Sequence, residues 1–218
     1  MQPIYSHQVL TNFIAIEGLD GAGTSTQTDL LAKNLKLHGY HPVATMEPTA
    51  GPVGTLIKQI MRGRLKAGAT PAQTERQLAY LFAADRYDHL YNEVDGITQT
   101  LAKDRVAIST RYFFSSYAYN ARTPEDFDLV DRLNRDFPLP QIVVYLTVPP
   151  EVSMKRIAGR DVLEFYEKEE ELRRVAENYK RIFAPIRDRV IEVESTRDVL
   201  DVAEHVCEKV LEKLNNGL

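Results

Sequence analysis

The stretch Gly18-Leu19-Asp20-Gly21-Ala22-Gly23-Thr24-Ser25-Thr26 follows directly on the apolar run Phe13-Ile14-Ala15-Ile16. This is the frame of a phosphate-binding loop, G-x-x-x-x-G-K-[S/T], with one letter changed. Gly18 and Gly23 stand in place, Ser25 supplies the hydroxyl that meets Mg²⁺, and Thr24 occupies the lysine position. In such a loop a strand delivers the chain to a tight turn, small residues let backbone N–H groups point inward, and the next helix offers its N-terminal donors to phosphate. Leu30, Leu31 and Leu35 begin an apolar stripe on that helix. Lysine normally brings a mobile positive charge to the β- and γ-phosphates. Threonine donates one hydrogen bond and carries no charge.

Around this motif the chain alternates strand-like runs with helical patterns. The strands are expected at Phe13–Glu17, Pro42–Met46, Val106–Thr110, Ile142–Thr147 and Val190–Val193. Such alternation predicts a parallel sheet covered by helices on both faces, with loops converging at the strand C-termini. Val199, Val202, Ala203, Val206, Val210, Leu211 and Leu214 recur at helical spacing and predict a packing helix with no chemistry. Gly63 to Gly68 reads as a loop between helices.

The 218 residues suffice for one α/β domain, and 44% hydrophobic with 27% charged residues is ordinary globular composition. A net charge of −4 predicts no nucleic-acid partner. No apolar run has the length of a membrane span, and the first twelve residues do not read as a signal peptide. One cysteine, Cys207, excludes an intrachain disulfide and fits a reducing compartment, the cytoplasm.

Further segments, in order, resemble the thymidylate kinase family of nucleoside monophosphate kinases. Glu17 to Gln27 is similar to that family's E-G-x-D-G-x-G-K-[S/T]-T-Q. Glu47-Pro48-Thr49 resembles the loop after the second strand, and Leu81-Phe82-Ala83-Ala84-Asp85-Arg86 the base-reading helix. Arg111 to Tyr119 resembles D-R-Y-x-x-S-x-x-A-Y, with Thr110 in the aspartate position. Leu146 to Glu151 resembles L-x-V-x-P-E, and Glu164 to Tyr179 the LID and the helix after it.

The resemblance implies a three-layer α/β fold, a five-stranded parallel sheet flanked by helices. It implies one P-loop kinase domain over residues 1–218, with a short LID at about 150–168. It further implies phosphoryl transfer from Mg·ATP to dTMP, with Mg²⁺ as cofactor, no membrane partner and a homodimer. By the same token, Gly18, Leu19, Asp20, Gly21, Ala22, Gly23, Thr24, Ser25 and Thr26 hold the ATP phosphates, and Ser25 meets the metal. Glu47, Pro48, Phe82, Arg86, Arg111, Ser116, Tyr119 and Tyr166 bind dTMP. Arg111, Arg160 and Asp20 serve catalysis.

The residues carry chemistry that fits those roles. Phe82 offers a flat face for a pyrimidine, and Arg86 follows four positions later on the same helix face; the alternative is a core phenylalanine and an arginine paired with Asp85. Ser115 and Ser116 are candidate helix caps. Arg111 closes a strand, where a fixed cation offsets charge on transferring oxygens. Gly21 stands where some family members place a catalytic arginine, which shifts that role to Lys155, Arg156 or Arg160 in the LID. Thr24 and Thr110 each remove one charge, of opposite sign, and Met46 and Ala176 replace supporting arginines of the family pattern. Two other readings therefore stay open: a nucleotide-binding protein of weak or no activity, and a kinase for another acceptor.

Overall fold

The computed structural model describes residues 3, 5–157 and 162–216, with side chains described for these apart from 162–168 and 216. In chain order the elements are β1 (Val9–Gly18), α1 (Thr24–Leu37), β2 (Pro42–Met46), α2 (Pro52–Met61), α3 (Pro71–Tyr91), α4 (Ile97–Leu101), β3 (Val106–Thr110) and α5 (Phe113–Asn120). There follow α6 (Pro124–Asn134), β4 (Leu139–Thr147), α7 (Pro150–Ile157), α8 (Val162–Phe183), a 3₁₀ turn (Ala184–Arg189), β5 (Val190–Glu194) and α9 (Val199–Asn216).

The five strands form one sheet of order β2-β3-β1-β4-β5, every neighbouring pair parallel. Helices cover both faces, as the alternation predicts. The three inner strands are near-continuous apolar runs because both their faces are buried. Phe13, Ile14, Ala15 and Ile16 of β1 and Ile142, Val143, Val144 and Leu146 of β4 have no solvent exposure. At the edge, β5 alternates instead, with Ile191 and Val193 inward and Glu192 and Glu194 outward. Val202, Val206 and Val210 of α9 are buried, and so is Cys207, confirming a packing helix.

Two strands run longer than the apolar patterns indicate. β1 starts at Val9 and β4 at Leu139, and these extensions pair with each other. The register shifts between Leu10 and Ile14, where Asn12 adopts φ 62° and its N–H donates to Gln141 Oε1 at 2.7 Å. The irregularity hides the extension, because polar Thr11 and Asn12 interrupt the apolar run.

β1 lies at the centre, with β3 on one side and β4 on the other, so the sheet order turns at its C-terminal end. A crevice opens at such a switch point in an open α/β sheet. The loops after β1, β2 and β3 meet there: Arg111 N donates to Ile16 O at 2.9 Å, and Glu47 N to Thr110 O at 3.0 Å.

Candidate active site

The turn after β1 needs glycine at two places. Gly21 has φ 78° and Gly23 has φ 91°, both in the left-handed region that a side chain disfavours. Gly23 caps α1, whose first residue is Thr24, buried at the helix N-terminus, while Ser25 and Thr26 are exposed. A Cβ on Gly21 would lie 3.0 Å from Ser153 O and 3.1 Å from Ile157 Cγ2. α7 therefore roofs the loop: Ser153 Oγ donates to Asp20 O, and Arg156 donates to Gly21 O at 3.1 Å and to Ser195 O at 2.9 Å. Of the three LID cations considered, Arg156 is thus tied to the loop. Arg160 lies outside the described residues, as do the side chains of Glu164, Tyr166 and Glu167.

The two threonines that replace charged residues are linked. Thr110 Oγ1 donates to Thr28 Oγ1 at 2.7 Å, and Thr28 Oγ1 donates to Thr24 O at 3.0 Å. A neutral hydroxyl chain thus joins the end of β3 to the first turn of α1.

Beside the loop lies a cavity of about 300 Å³. Asp20, Glu47, Pro48, Phe82, Arg86, Arg111, Ser116 and Tyr119 all border it. Eight residues expected from four separated segments thus share one space. Pro48, Met61, Leu78 and Phe82 give it an apolar wall, and Glu75, Arg122 and Glu171 stand around it as charged groups.

Arg86 is 1% exposed. It does not pair with Asp85, whose carboxylate instead accepts from Thr49 N at 2.8 Å and Thr49 Oγ1 at 2.6 Å. Arg86 pairs with Glu47 Oε2, through Nη2 at 2.6 Å and Nε at 3.0 Å. It also donates to Asn134 Oδ1 and, at 3.3 Å, to Ser116 Oγ. The other oxygen of Glu47 meets His89 Nδ1 at 3.2 Å, and His89 Nε2 lies 2.8 Å from Thr45 Oγ1. His89 was readable in principle, since it sits three residues after Arg86 on the same helix face. Asn134 carries no such signal, being 48 positions from its partner.

Arg111 adopts φ 68°, unusual for a non-glycine residue and concentrated at functional sites. Its Nη2 meets Asp20 Oδ1 at 2.6 Å, its Nη1 donates to Ser115 Oγ at 2.9 Å, and its guanidinium lies over the Tyr119 ring at 5.2 Å. Burial alone would lower the Arg111 pKa, but Tyr119, Tyr179, Asp20 and Glu17 together hold it well above the usual value. Tyr119 accepts from Asp20 N at 3.0 Å, and burial pushes its hydroxyl up to about 12. Neither Ser115 nor Ser116 caps α5, whose N-cap is Tyr112 without a side-chain bond. Their hydroxyls are engaged with Arg111 and Arg86 instead.

A glycine-turned loop at the centre of a parallel sheet, roofed by a helix and facing a cavity with a fixed arginine, is the arrangement of a P-loop nucleotide-binding protein. A family model described as thymidylate kinase matches residues 16–206. A probable thymidylate kinase of Thermococcus gammatolerans is 35% identical over 209 residues, covering 94% of this chain and 99% of that protein. Those of Thermococcus onnurineus and Thermococcus kodakarensis are 40% and 41% identical, each covering 78% of this chain and 83% of the relative. The chain belongs to the thymidylate kinase family.

Proposed function

We propose that the chain transfers the γ-phosphoryl group of Mg·ATP to the phosphate of dTMP, giving dTDP and ADP for deoxynucleotide supply. The observation that carries this is the position of Arg111, bonded to Asp20 of the phosphate loop while bordering the cavity with Phe82 and Arg86. A cation so placed stands between donor and acceptor phosphates. An oxygen of the acceptor phosphate, already ionised at neutral pH, attacks the γ-phosphorus, and the bond to the β–γ bridging oxygen breaks. Arg111 offsets the charge that spreads over the transferring oxygens. No strong general base is needed.

Residues 18–26 supply backbone donors to the ATP phosphates. The metal enters as part of Mg·ATP, held mainly by phosphate oxygens and water. The exposed Ser25 hydroxyl at the start of α1 fits as a protein ligand, whereas Thr110 is committed to Thr28. In the acceptor cavity Phe82 stacks on the base, and Pro48 lines the apolar wall. Arg86 has five N–H groups and, among the described residues, gives four hydrogen bonds to Glu47, Asn134 and Ser116, which leaves one donor for a base carbonyl. Tyr119 lies on the sugar side, where its ring crowds a 2′-hydroxyl. We read residues 1–218 as one kinase domain with Arg160 and Tyr166 in the LID. The exposed Tyr80, Tyr87 and Tyr91 of α3 support a homodimer. Among the described residues no helix is long and apolar enough to cross a membrane, and a cytoplasmic location fits the lone cysteine.

The test is ADP formation from Mg·ATP with dTMP, dUMP, dCMP, dGMP and UMP in turn. Turnover with dTMP above the others is expected. A purine or ribonucleotide used equally well would overturn the acceptor assignment, and binding without turnover would make the chain a nucleotide-binding protein.

A further inference from the structure

Glu17 is a carboxylate with no solvent exposure, placed at the end of β1 directly beneath the phosphate loop. Its Oε1 accepts from Tyr112 N at 2.8 Å, and its Oε2 accepts from Ser115 Oγ at 2.7 Å and Tyr179 OH at 2.8 Å. Each of these donors is joined to Arg111. Tyr112 is the next residue in the chain. Ser115 Oγ and Tyr179 OH accept from Arg111 Nη1 at 2.9 Å and 3.4 Å. The Arg111 backbone is fixed at the same point, since its N–H donates to Ile16 O at 2.9 Å and its carbonyl accepts from Ser109 Oγ at 2.6 Å.

We propose that Glu17 is the positioning residue that holds Arg111 at the acceptor cavity, its buried negative charge relayed through the Ser115 and Tyr179 hydroxyls. The inference rests on the reading of Arg111 as the phosphoryl clamp. Arg111 has two carboxylates, one on each side. Asp20 is half-exposed and binds Nη2, so an incoming phosphate competes for it. Glu17 is sealed from solvent and acts on Nη1 through two hydroxyls, so it stays in place when phosphate arrives. The exposed pair lets Nη2 move to substrate while the buried relay keeps the guanidinium plane aimed. A buried charge is costly without compensation. Here three hydrogen bonds and a nearby guanidinium compensate it, and all of them converge on one residue. A glutamine at position 17 would keep the volume but would lose the charge opposite Arg111. Its amide N–H₂ would also face hydroxyls now oriented to donate.

The experiment is a double-mutant cycle between Glu17→Gln and Arg111→Ala. It is read as kcat, as the KM for Mg·ATP, and as dTMP affinity by calorimetry. Glu17→Gln should lower kcat tenfold or more, in the direction of losing one preorganised donor of about a hundredfold effect. It should leave the KM for Mg·ATP within about threefold. In the Arg111→Ala background it should cost less than about threefold, because groups acting as a unit are not additive. Tyr179→Phe should show a smaller loss with the same non-additivity, and it serves where Glu17→Gln fails to fold. Independent, multiplying losses would overturn the proposal. A wild type with no turnover would overturn the kinase reading instead. The cycle on dTMP affinity then decides the role of Glu17: coupled losses support it, and independent losses contradict it.

Discussion

Replacing Arg86 with alanine should destabilise the protein and weaken dTMP binding by separable mechanisms. Arg86 is 1% exposed and Glu47 5% exposed, and their contact is a two-point pair at 2.6 and 3.0 Å. Among the described residues, removing the guanidinium leaves the buried Glu47 carboxylate with His89 Nδ1, at 3.2 Å, as its one remaining side-chain partner. Breaking one half of a buried pair costs about 3–5 kcal/mol, most of it the uncompensated charge. For a chain of this size each kcal/mol lowers Tm by about 2–4 °C, so a fall of roughly 6–20 °C is expected. Thermal melting by circular dichroism measures it. The double variant Arg86→Met with Glu47→Gln removes both charges and should recover more than half of that loss, since such pairs are strongly non-additive. Its KM for dTMP should remain raised about tenfold or more, because the base has lost its donor. An Arg86→Ala melt within about 3 °C of wild type would refute the buried-pair argument. A double variant with wild-type KM would remove Arg86 from base recognition.

Three further outcomes are expected. Arg111→Ala should lower kcat by about 10²–10³ while Mg·ATP affinity, measured by calorimetry, changes little; full activity would end the clamp assignment. Gly21→Arg should lower stability by about 1–3 kcal/mol in urea unfolding, since φ 78° is disfavoured for a side chain and Ser153 O sits 3.0 Å from the new Cβ; an unchanged midpoint would mean that α7 gives way. For Glu17, burial raises the pKa above the ordinary carboxylate value, against lowering by Arg111, Ser115, Tyr179 and Tyr112 N–H. The folded state therefore holds this proton more tightly than the unfolded chain. Stability from Glu17 is present at low pH and lost as pH rises through its raised pKa. The unfolding free energy of wild type minus Glu17→Gln should thus fall as pH rises from the ordinary carboxylate range through the raised Glu17 value; a rising difference would reverse the sign of the burial effect.

Much of the fold and site was legible because it is written in local patterns. The apolar run Phe13–Ile16 followed by Gly18 to Thr26 indicates a strand, a turn and a helix, and the alternation of elements indicates a parallel sheet; that this strand is the central one emerges only from the sheet order. Segments near Glu47, Phe82 and Arg111 follow strands or share a helix face, so their convergence could be argued before any coordinates. What escaped reading depends on pairing across space. Arg86 and Asp85 are consecutive on α3 and so point in different directions; Asp85 meets Thr49, and the partner of Arg86, Glu47, arrives from the end of β2. Asn134 approaches from α6 with no pattern to mark it. Ser115 and Ser116 looked like caps because serine caps helices, yet a buried glutamate and two arginines claim their hydroxyls. Glu17 stood inside a motif as a letter, and its role emerges only when Tyr179, 162 positions away, donates to it. The hydroxyl chain from Thr110 through Thr28 to the Thr24 carbonyl likewise joins positions far apart in sequence.

The most direct measurement is steady-state turnover of Mg·ATP with dTMP by wild type beside Thr24→Lys. Wild type should form ADP only when dTMP is present, with Arg111 and the loop backbone serving the phosphates. Thr24→Lys should raise kcat by up to about a hundredfold, as an added phosphate-directed cation would. A wild type that binds both nucleotides without turnover, with activity gained only in Thr24→Lys, would contradict the claim that this lysine-free loop supports phosphoryl transfer.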